Sequence, residues 1–230
     1  MEFIPLKNTR LIKLLNNITD GFFDNPVYMD GLSKLRPRRD DRQPEEYACS
    51  EKYLQEALKQ DLRDFGYPRS MFGTDMGLGS PETAWKNFIP IQKKADLVGL
   101  HLGTPIRALT LLYPDNGFIG WHHNGNAPGY NTLFTYSQDG DGCFKYWDTS
   151  TQSIKVHQDI KGWAVKVGYY PNQKTETDRV YWHCAETTKA RISLAWIINH
   201  RTMWMNMIEE ITNGDFDRSI IAQHQMNVRN

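Results

Sequence analysis

The residues of this chain whose types and spacing could do chemistry are His122, Asn124, His183 and Arg191. In an extended strand, side chains two apart share a face, so His122 and Asn124 would point one way and His123 the other. His183 belongs to a much later β-prone run and is followed, after a short loop, by Arg191-Ile192-Ser193. Two imidazoles from distant strands facing one barrel interior, with a further side chain two residues beyond the first, have the layout of a facial metal site of two histidines and a carboxylate. Such a site leaves three coordination positions open, which suits a chelating oxo acid together with O₂. Arg191 would offer the oxo acid's far carboxylate a rigid fork. The Ile-Ser-Leu-Ala-Trp-Ile-Ile run after it marks a buried strand, and a buried guanidinium requires an anion.

These residues need strands to hold them. Between residues 106 and 199 the chain supplies short β-prone runs separated by turn formers, the grammar of an antiparallel barrel or jelly roll. The runs cover residues 108–113, 118–122, 131–137, 143–147, 153–156, 164–170, 180–184 and 191–198. Asp115-Asn116-Gly117, residues 125–129, Asp139-Gly140-Asp141-Gly142 and Lys161-Gly162 supply the turns. Residues 1–105 read as supporting helices and loops. Within them Tyr47, Tyr53, Leu54, Ala57, Leu58, Leu62 and Phe65 recur at helical spacing until Gly66-Tyr67-Pro68 stops the pattern. Residues 200–230 return to helix, with Trp204, Met207, Ile208 and Ile211 on one face and a short second helix from Asp215 through Ile221. The turn-rich segments 71–94 and 171–178 are the candidate lids. The whole chain, 1–230, is expected to be one domain.

Taken in order, these pieces resemble the core of the 2-oxoglutarate- and Fe(II)-dependent oxygenase superfamily, particularly its prolyl-hydroxylase-like branch. Tyr113-Pro114-Asp115-Asn116-Gly117-Phe118 and Gly120-Trp121-His122-His123-Asn124 resemble that branch's tyrosine, glycine turn and HxD motif. Asn131-Thr132-Leu133-Phe134-Thr135-Tyr136 is similar to its next strand, and Gly140-Asp141-Gly142 and Lys161-Gly162-Trp163 to its later glycine turns. The stretch from His183 to Arg191-Ile192-Ser193-Leu194-Ala195-Trp196 resembles its distal histidine, cofactor arginine and closing strand. The resemblance implies a mainly β fold, a double-stranded β-helix (jelly roll, cupin-like) with N-terminal and C-terminal helices. It implies Fe(II) held at a catalytic centre of His122, Asn124 and His183, and 2-oxoglutarate held by Arg191, Ser193, Tyr136 and Tyr113. With O₂, these would hydroxylate an unidentified prime substrate, a small molecule or a protein side chain, releasing succinate and CO₂.

The resemblance breaks at Asn124, which stands where the family has aspartate. A neutral amide is a weaker ligand for a hard divalent cation and cancels none of its charge. Four readings follow: a working oxygenase with an altered triad, a halogenase-like site that leaves a position for halide, a carboxylate borrowed from Asp139 or Asp141, or a lapsed enzyme that only binds. Tyr113 and Tyr136 read equally well as core aromatics of a barrel. His123 should face away from the site, and His101, His157, His200 and His224 have no partner pattern.

Composition narrows the partners. Lys plus Arg equals Asp plus Glu at 27 each, so no global field would gather nucleic acid or an anionic membrane. The basic run Lys34, Arg36, Arg38 and Arg39 is cancelled in large part by Asp40 and Asp41. Three cysteines without CxxC spacing fit neither a disulfide framework nor a structural zinc site. Together with the absence of a signal-like or membrane-length apolar stretch, they lead to the expectation of a cytoplasmic protein.

Overall fold

The turn residues of the second half adopt the conformations that hairpins need, with positive φ at Asn116, Gly140 and Gly162. The computed structural model describes residues 1–36, 38–39, 45–76, 82–104 and 107–213. In chain order its strands are β1 (Glu2–Ile4), β2 (Arg38–Arg39), β3 (Ser70–Phe72), β4 (Thr74–Asp75), β5 (Arg107–Tyr113), β6 (Phe118–His122), β7 (Gly129–Ser137), β8 (Cys143–Asp148), β9 (Ser153–Gln158), β10 (Gly162–Tyr170), β11 (His183–Glu186) and β12 (Arg191–Ile198). The helices are α1 (Thr9–Thr19), α2 (Pro26–Ser33), α3 (Glu45–Ala48), α4 (Glu51–Ala57), α5 (Glu82–His101) and α6 (Arg201–Thr212).

The strands form two antiparallel sheets, ordered β1-β10-β7-β12-β5-β4 and β2-β3-β6-β11-β8-β9. From β5 to β12 the chain passes back and forth between them, so β5, β7, β10 and β12 face β6, β8, β9 and β11. This interleaving is a double-stranded β-helix, the fold class expected. All eight expected runs are strands. The run placed at 180–184 begins later, at His183, because Val180-Tyr181-Trp182 follows a 3₁₀ turn at Thr177–Arg179 and meets the sheet through the bond from Trp147 N–H to the Trp182 carbonyl.

Residues 1–105 depart from the expectation of helices and loops alone, since β1 to β4 extend both sheets at their edges. The helix expected across residues 47–65 is three pieces. Ser50 caps the start of α4 by accepting from Tyr53 N–H, and Asp61 caps a 3₁₀ turn at Leu62–Phe65. Much of the segment expected as a lid at 71–94 is instead α5, whose Phe88, Ile91, Ala95 and Val98 are buried. The helix expected from Asp215 lies outside the described residues.

Three apolar clusters follow from this layering. One lies between the first sheet and α1, α2, α5 and α6, and includes Leu15, Phe88, Phe134, Ile192, Leu194, Trp196 and Met207. A second lies between β6, β11 and the pair α3 and α4, around Trp121, Trp182 and Leu54. The third fills the space between the sheets with Leu111, Tyr113, Ile119, Leu133, Phe144, Ala185 and Ala195. That interior is shared with buried His122, His183, Thr135, Lys166, Arg191 and Ser193. Buried polar groups in such numbers need partners.

Candidate active site

His122 closes β6 and His183 opens β11, and the two are Cα partners across that ladder. Between the pairs Ile119–Ala185 and His122–His183, two residues of β6 oppose the single Cys184 of β11, so β6 carries a bulge at Gly120-Trp121. The bulge lets Ile119 and His122 both face the interior while Trp121 packs outward and donates Nε1–H to the Ser50 carbonyl at 3.0 Å. Gly120 suits this position, because a Cβ there would lie 3.1 Å from the Ser70 carbonyl and 3.2 Å from the Ala48 side chain.

The imidazole centroids are 4.2 Å apart. His122 donates Nδ1–H to the Gly120 carbonyl at 2.8 Å, and His183 donates Nδ1–H to the Tyr181 carbonyl at 3.0 Å. The Nε2 lone pairs are therefore the ones a ligand would take, that of His183 lying 3.5 Å from the Tyr170 hydroxyl, and backbone acceptors orient metal-binding histidines in this way. Burial lowers the pKa of His122 to about 4, and burial followed by the charge of His122 lowers that of His183 well below its usual value. Both rings are neutral at physiological pH, as ligation requires. Phe144 and Tyr170 stack on His183 at 5.4 and 5.0 Å.

Asn124 reaches this pair by a route that strand alternation did not anticipate. It lies beyond the end of β6 with φ 53, a left-handed conformation that Asn adopts readily. Its Nδ2 is 3.3 Å from His183 Nε2. A half-turn of the amide would replace that NH₂ group with the carbonyl oxygen, so the residues present can offer a divalent cation two imidazole nitrogens and one neutral oxygen. Among the described residues no group of three His, Cys, Asp or Glu side chains is placed to hold a metal ion. Of the two carboxylates considered for the third position, Asp141 accepts from the Thr188 hydroxyl beyond the far end of β11, and Asp139 is exposed.

His123 does face away from the interior, yet it is buried. Its Nε2–H donates to the Leu62 carbonyl at 2.7 Å, and its Nδ1 accepts from Gly125 N–H at 3.0 Å. It ties the 3₁₀ turn to the loop that carries Asn124. His101, His157 and His200 lie apart from the pair, His157 donating to the Met1 carbonyl, and His224 lies outside the described residues.

At the other end of the interior, Arg191 and Tyr113 are Cα partners on β12 and β5, with the guanidinium 5.2 Å from the phenol ring centroid. Arg191 donates NH1 to Ser193 Oγ at 3.0 Å, Nε to Asp159 Oδ2 at 2.7 Å and NH2 to Asp159 Oδ1 at 3.4 Å. Burial pushes the Tyr113 phenol up to about 12, leaving it a donor. Tyr136 is not brought here. It faces the helical layer, stacked with Phe23 at 5.5 Å and beside Trp163, because β7 directs Leu133 and Thr135 inward and Phe134 and Tyr136 outward.

Two interior residues were missed. Asp159 gave no sequence signal, following a polar strand and preceding a turn. Lys166 did give one, as a lone charge within Trp163-Ala164-Val165-Lys166-Val167.

The class that fold and site define is a double-stranded β-helix with two backbone-oriented histidines near one end of its interior and a buried arginine at the other. No family model matches the chain, and no curated protein matches it. Solved structures similar to it include a Pseudomonas putida prolyl-4-hydroxylase at 15% identity, covering 75% of this chain and 97% of that one with a TM-score of 0.31. A 2OG-Fe(II) oxygenase family oxidoreductase from Burkholderia pseudomallei is similar at 14% identity over 55% of this chain and 63% of that one, with a TM-score of 0.29. The dioxygenase for auxin oxidation in rice is similar at 16% identity over 83% of this chain and 69% of that one, with a TM-score of 0.33. At these identities and scores the class rests on the strand order, which needs no relative to support it.

Proposed function

We propose that this chain is a 2-oxoglutarate- and Fe(II)-dependent oxygenase that hydroxylates a second substrate and releases succinate and CO₂. The observation that carries the reading is the cross-strand pair His122 and His183, each with its Nδ1 proton on a backbone carbonyl and its Nε2 directed to the interior. Bound Fe(II) would supply the O₂ chemistry. The chain's own part is to hold and orient. His122 and His183 are neutral donors, Asn124 is the third group in reach, and Phe144 and Tyr170 wall the space beside His183 and keep water from it. Tyr113, Ser193 and Arg191, whose Nε and NH2 are taken by Asp159, form a polar floor at which the far end of an oxo acid would lie.

Asn124 favours a second reading, a jelly-roll binding module that keeps the pocket without turnover, because its amide caps His183 Nε2 and adds no negative charge. A halide at the metal is the third possibility that a neutral ligand permits. Metal analysis of anaerobically reconstituted protein, followed by 2-oxoglutarate titration and assay of succinate with Fe(II) and ascorbate, separates these readings. Stoichiometric iron with succinate release supports the oxygenase. Ligand binding without succinate supports the module, and halide-dependent product supports the halogenase-like variant.

A further inference from the structure

Beside His183 the barrel interior already holds a side chain. The thioether of Met1 accepts from the Tyr170 hydroxyl at 3.2 Å, and that hydroxyl lies 3.5 Å from His183 Nε2, so one phenol stands between the sulfur and the nitrogen a metal would take. The Met1 nitrogen donates to the Tyr181 hydroxyl at 2.7 Å, and the Met1 carbonyl accepts from His157 Nε2–H at 3.1 Å. With Met71 and Leu109, the Met1 side chain packs against the apolar cluster between the sheets. Gly168 makes room for it, since a Cβ there would lie 2.9 Å from Met1 Cγ and 3.1 Å from Met1 Cα. Any larger residue at this point of β10 would crowd the methionine.

The element that carries Met1 inward is β1, and β1 is lightly held. It pairs with the edge of β10 through Glu2 with Val167, Phe3 with Lys166 and Ile4 with Val165. Residues directly opposite share a face, so Phe3 and, one pleat on, Met1 look inward over Lys166 and Gly168. Glu2 is nevertheless exposed and Phe3 is 40% exposed. The Phe3 ring meets His157 edge-on at 5.1 Å and the Lys166 ammonium at 4.6 Å. The chain is next fixed at Lys7 and Asn8, whose N–H groups donate to the Ile211 carbonyl, so residues 1–6 can leave while the rest stays in place. A three-residue strand at a sheet edge belongs to the part of a fold that opens locally at low cost.

We propose that β1 is an internal occupant of the prime-substrate channel, and that the prime substrate is an extended peptide that adds to β10 in its place and sets an unbranched apolar side chain beside His183. The substrate class rests on the oxygenase reading above; the occupancy by β1 does not. The edge that β1 covers offers main-chain N–H and C=O groups, which another strand pairs again and a compact molecule does not. Side chains at alternate positions then enter the interior. One meets Gly168, Tyr170 and Tyr181, a slot that a flexible unbranched chain fills, and the one two residues on meets Lys166 and His157.

The test follows the Met1 methyl by NMR in the intact chain labelled with ¹³C-methyl methionine. Co(II), added as the metal alone, should shift and broaden Met1 and leave the exposed Met203 and Met205 untouched. In metal-free protein the peptide acetyl-AMEFIPLK should move the Met1 methyl to the position of an exposed methionine, at about millimolar concentration, where a strand in trans competes with one tethered in cis. The same peptide with glutamate in place of methionine should leave Met1 where it is. Phe3→Ala drops two ring contacts that the peptide restores, and should lower the peptide concentration needed by about tenfold. A Met1 methyl that Co(II) leaves unshifted, or that the methionine peptide fails to displace even from Phe3→Ala, overturns the occupancy. Equal displacement by the glutamate peptide overturns the substrate class. Displacement without succinate release from 2-oxoglutarate and Fe(II) sinks the oxygenase reading and the class built on it, and supports the occupancy.

Discussion

The amide nitrogen of Asn124 lies 3.3 Å from Nε2 of His183, closing over the nitrogen that a metal would need. The contact is possible because Asn124 sits in the left-handed region, which aspartate tolerates comparably. Asn124→Asp should therefore be accommodated without backbone strain, and it would place an anionic oxygen beside two neutral imidazoles. Fe(II) or Mn(II) binding should tighten by about tenfold to a hundredfold, corresponding to about 1.5 to 3 kcal/mol for a charge-assisted ligand. Turnover can move either way, since a site adapted to a neutral ligand could need the position left open. Unchanged metal affinity in anaerobic titrations would place Asn124 outside the coordination sphere.

His122→Ala and His183→Ala should each abolish stoichiometric iron while preserving the far-UV spectrum and a single cooperative melt. The barrel is held by its three apolar clusters, and the imidazoles contribute chiefly one backbone hydrogen bond each and ring packing. A stability loss of about 1 to 3 kcal/mol is expected from the cavity and the orphaned carbonyl. Retention of full iron occupancy in both variants would mean that the ion is held elsewhere.

How much of this was legible in the sequence depends on which physical signal each feature used. The strands of the core were readable because β-branched and aromatic runs alternate with Gly-bearing turns, and both β6 and β12 begin and end where that pattern puts them. The direction of side chains was less secure. Strict alternation put His122 and Asn124 on one face of a strand, whereas a bulge aims His122 inward and a left-handed turn returns Asn124 to it. A bulge leaves no periodic trace, so His122, Asn124 and His183 come together by a route that alternation does not supply. Tyr136 shows the opposite failure, since motif resemblance outweighed the period-two pattern that, counted from Leu133 and Thr135, sends it outward. The need of Arg191 for an anion was readable. The anion itself, Asp159, was not, because their meeting depends on the barrel closing.

That pairing changes what Arg191 substitutions should do. Reading the fork as a ligand site predicts a loss of affinity with little effect on folding. With Asp159 in the fork, Arg191→Met strips a buried carboxylate of two charge-assisted hydrogen bonds while leaving it paired with Lys166, and should cost about 1.5 to 3 kcal/mol of stability. The shift in urea midpoint at unchanged m-value reads it directly. A loss below about 1 kcal/mol would mean that the Asp159–Arg191 pair is not formed in the folded protein.

Lys166 makes the same cluster sensitive to alkaline pH. Burial lowers its pKa from the ordinary lysine value of 10.5 to about 8, with Asp159 opposing and Arg191 adding to the shift. Below pH 8 both folded and unfolded chains carry the proton, and Lys166 contributes no slope. Between pH 8 and 10.5 the unfolded chain binds the proton more than the folded one, so this contribution to stability rises with pH, by up to about 1.4 kcal/mol per pH unit. Other groups near the cluster act in the opposite sense over part of that range. Burial pushes the Tyr113 phenol and the Cys143 thiol up to about 12, and the folded chain keeps those protons longer than the unfolded one. The useful quantity is therefore the difference between wild type and Lys166→Met, in which those shared contributions largely cancel. Urea unfolding of both proteins from pH 7.5 to 10 should give a difference that moves toward wild type as pH rises above 8. A flat difference across this range would show that Lys166 holds its proton throughout, with Asp159 outweighing burial.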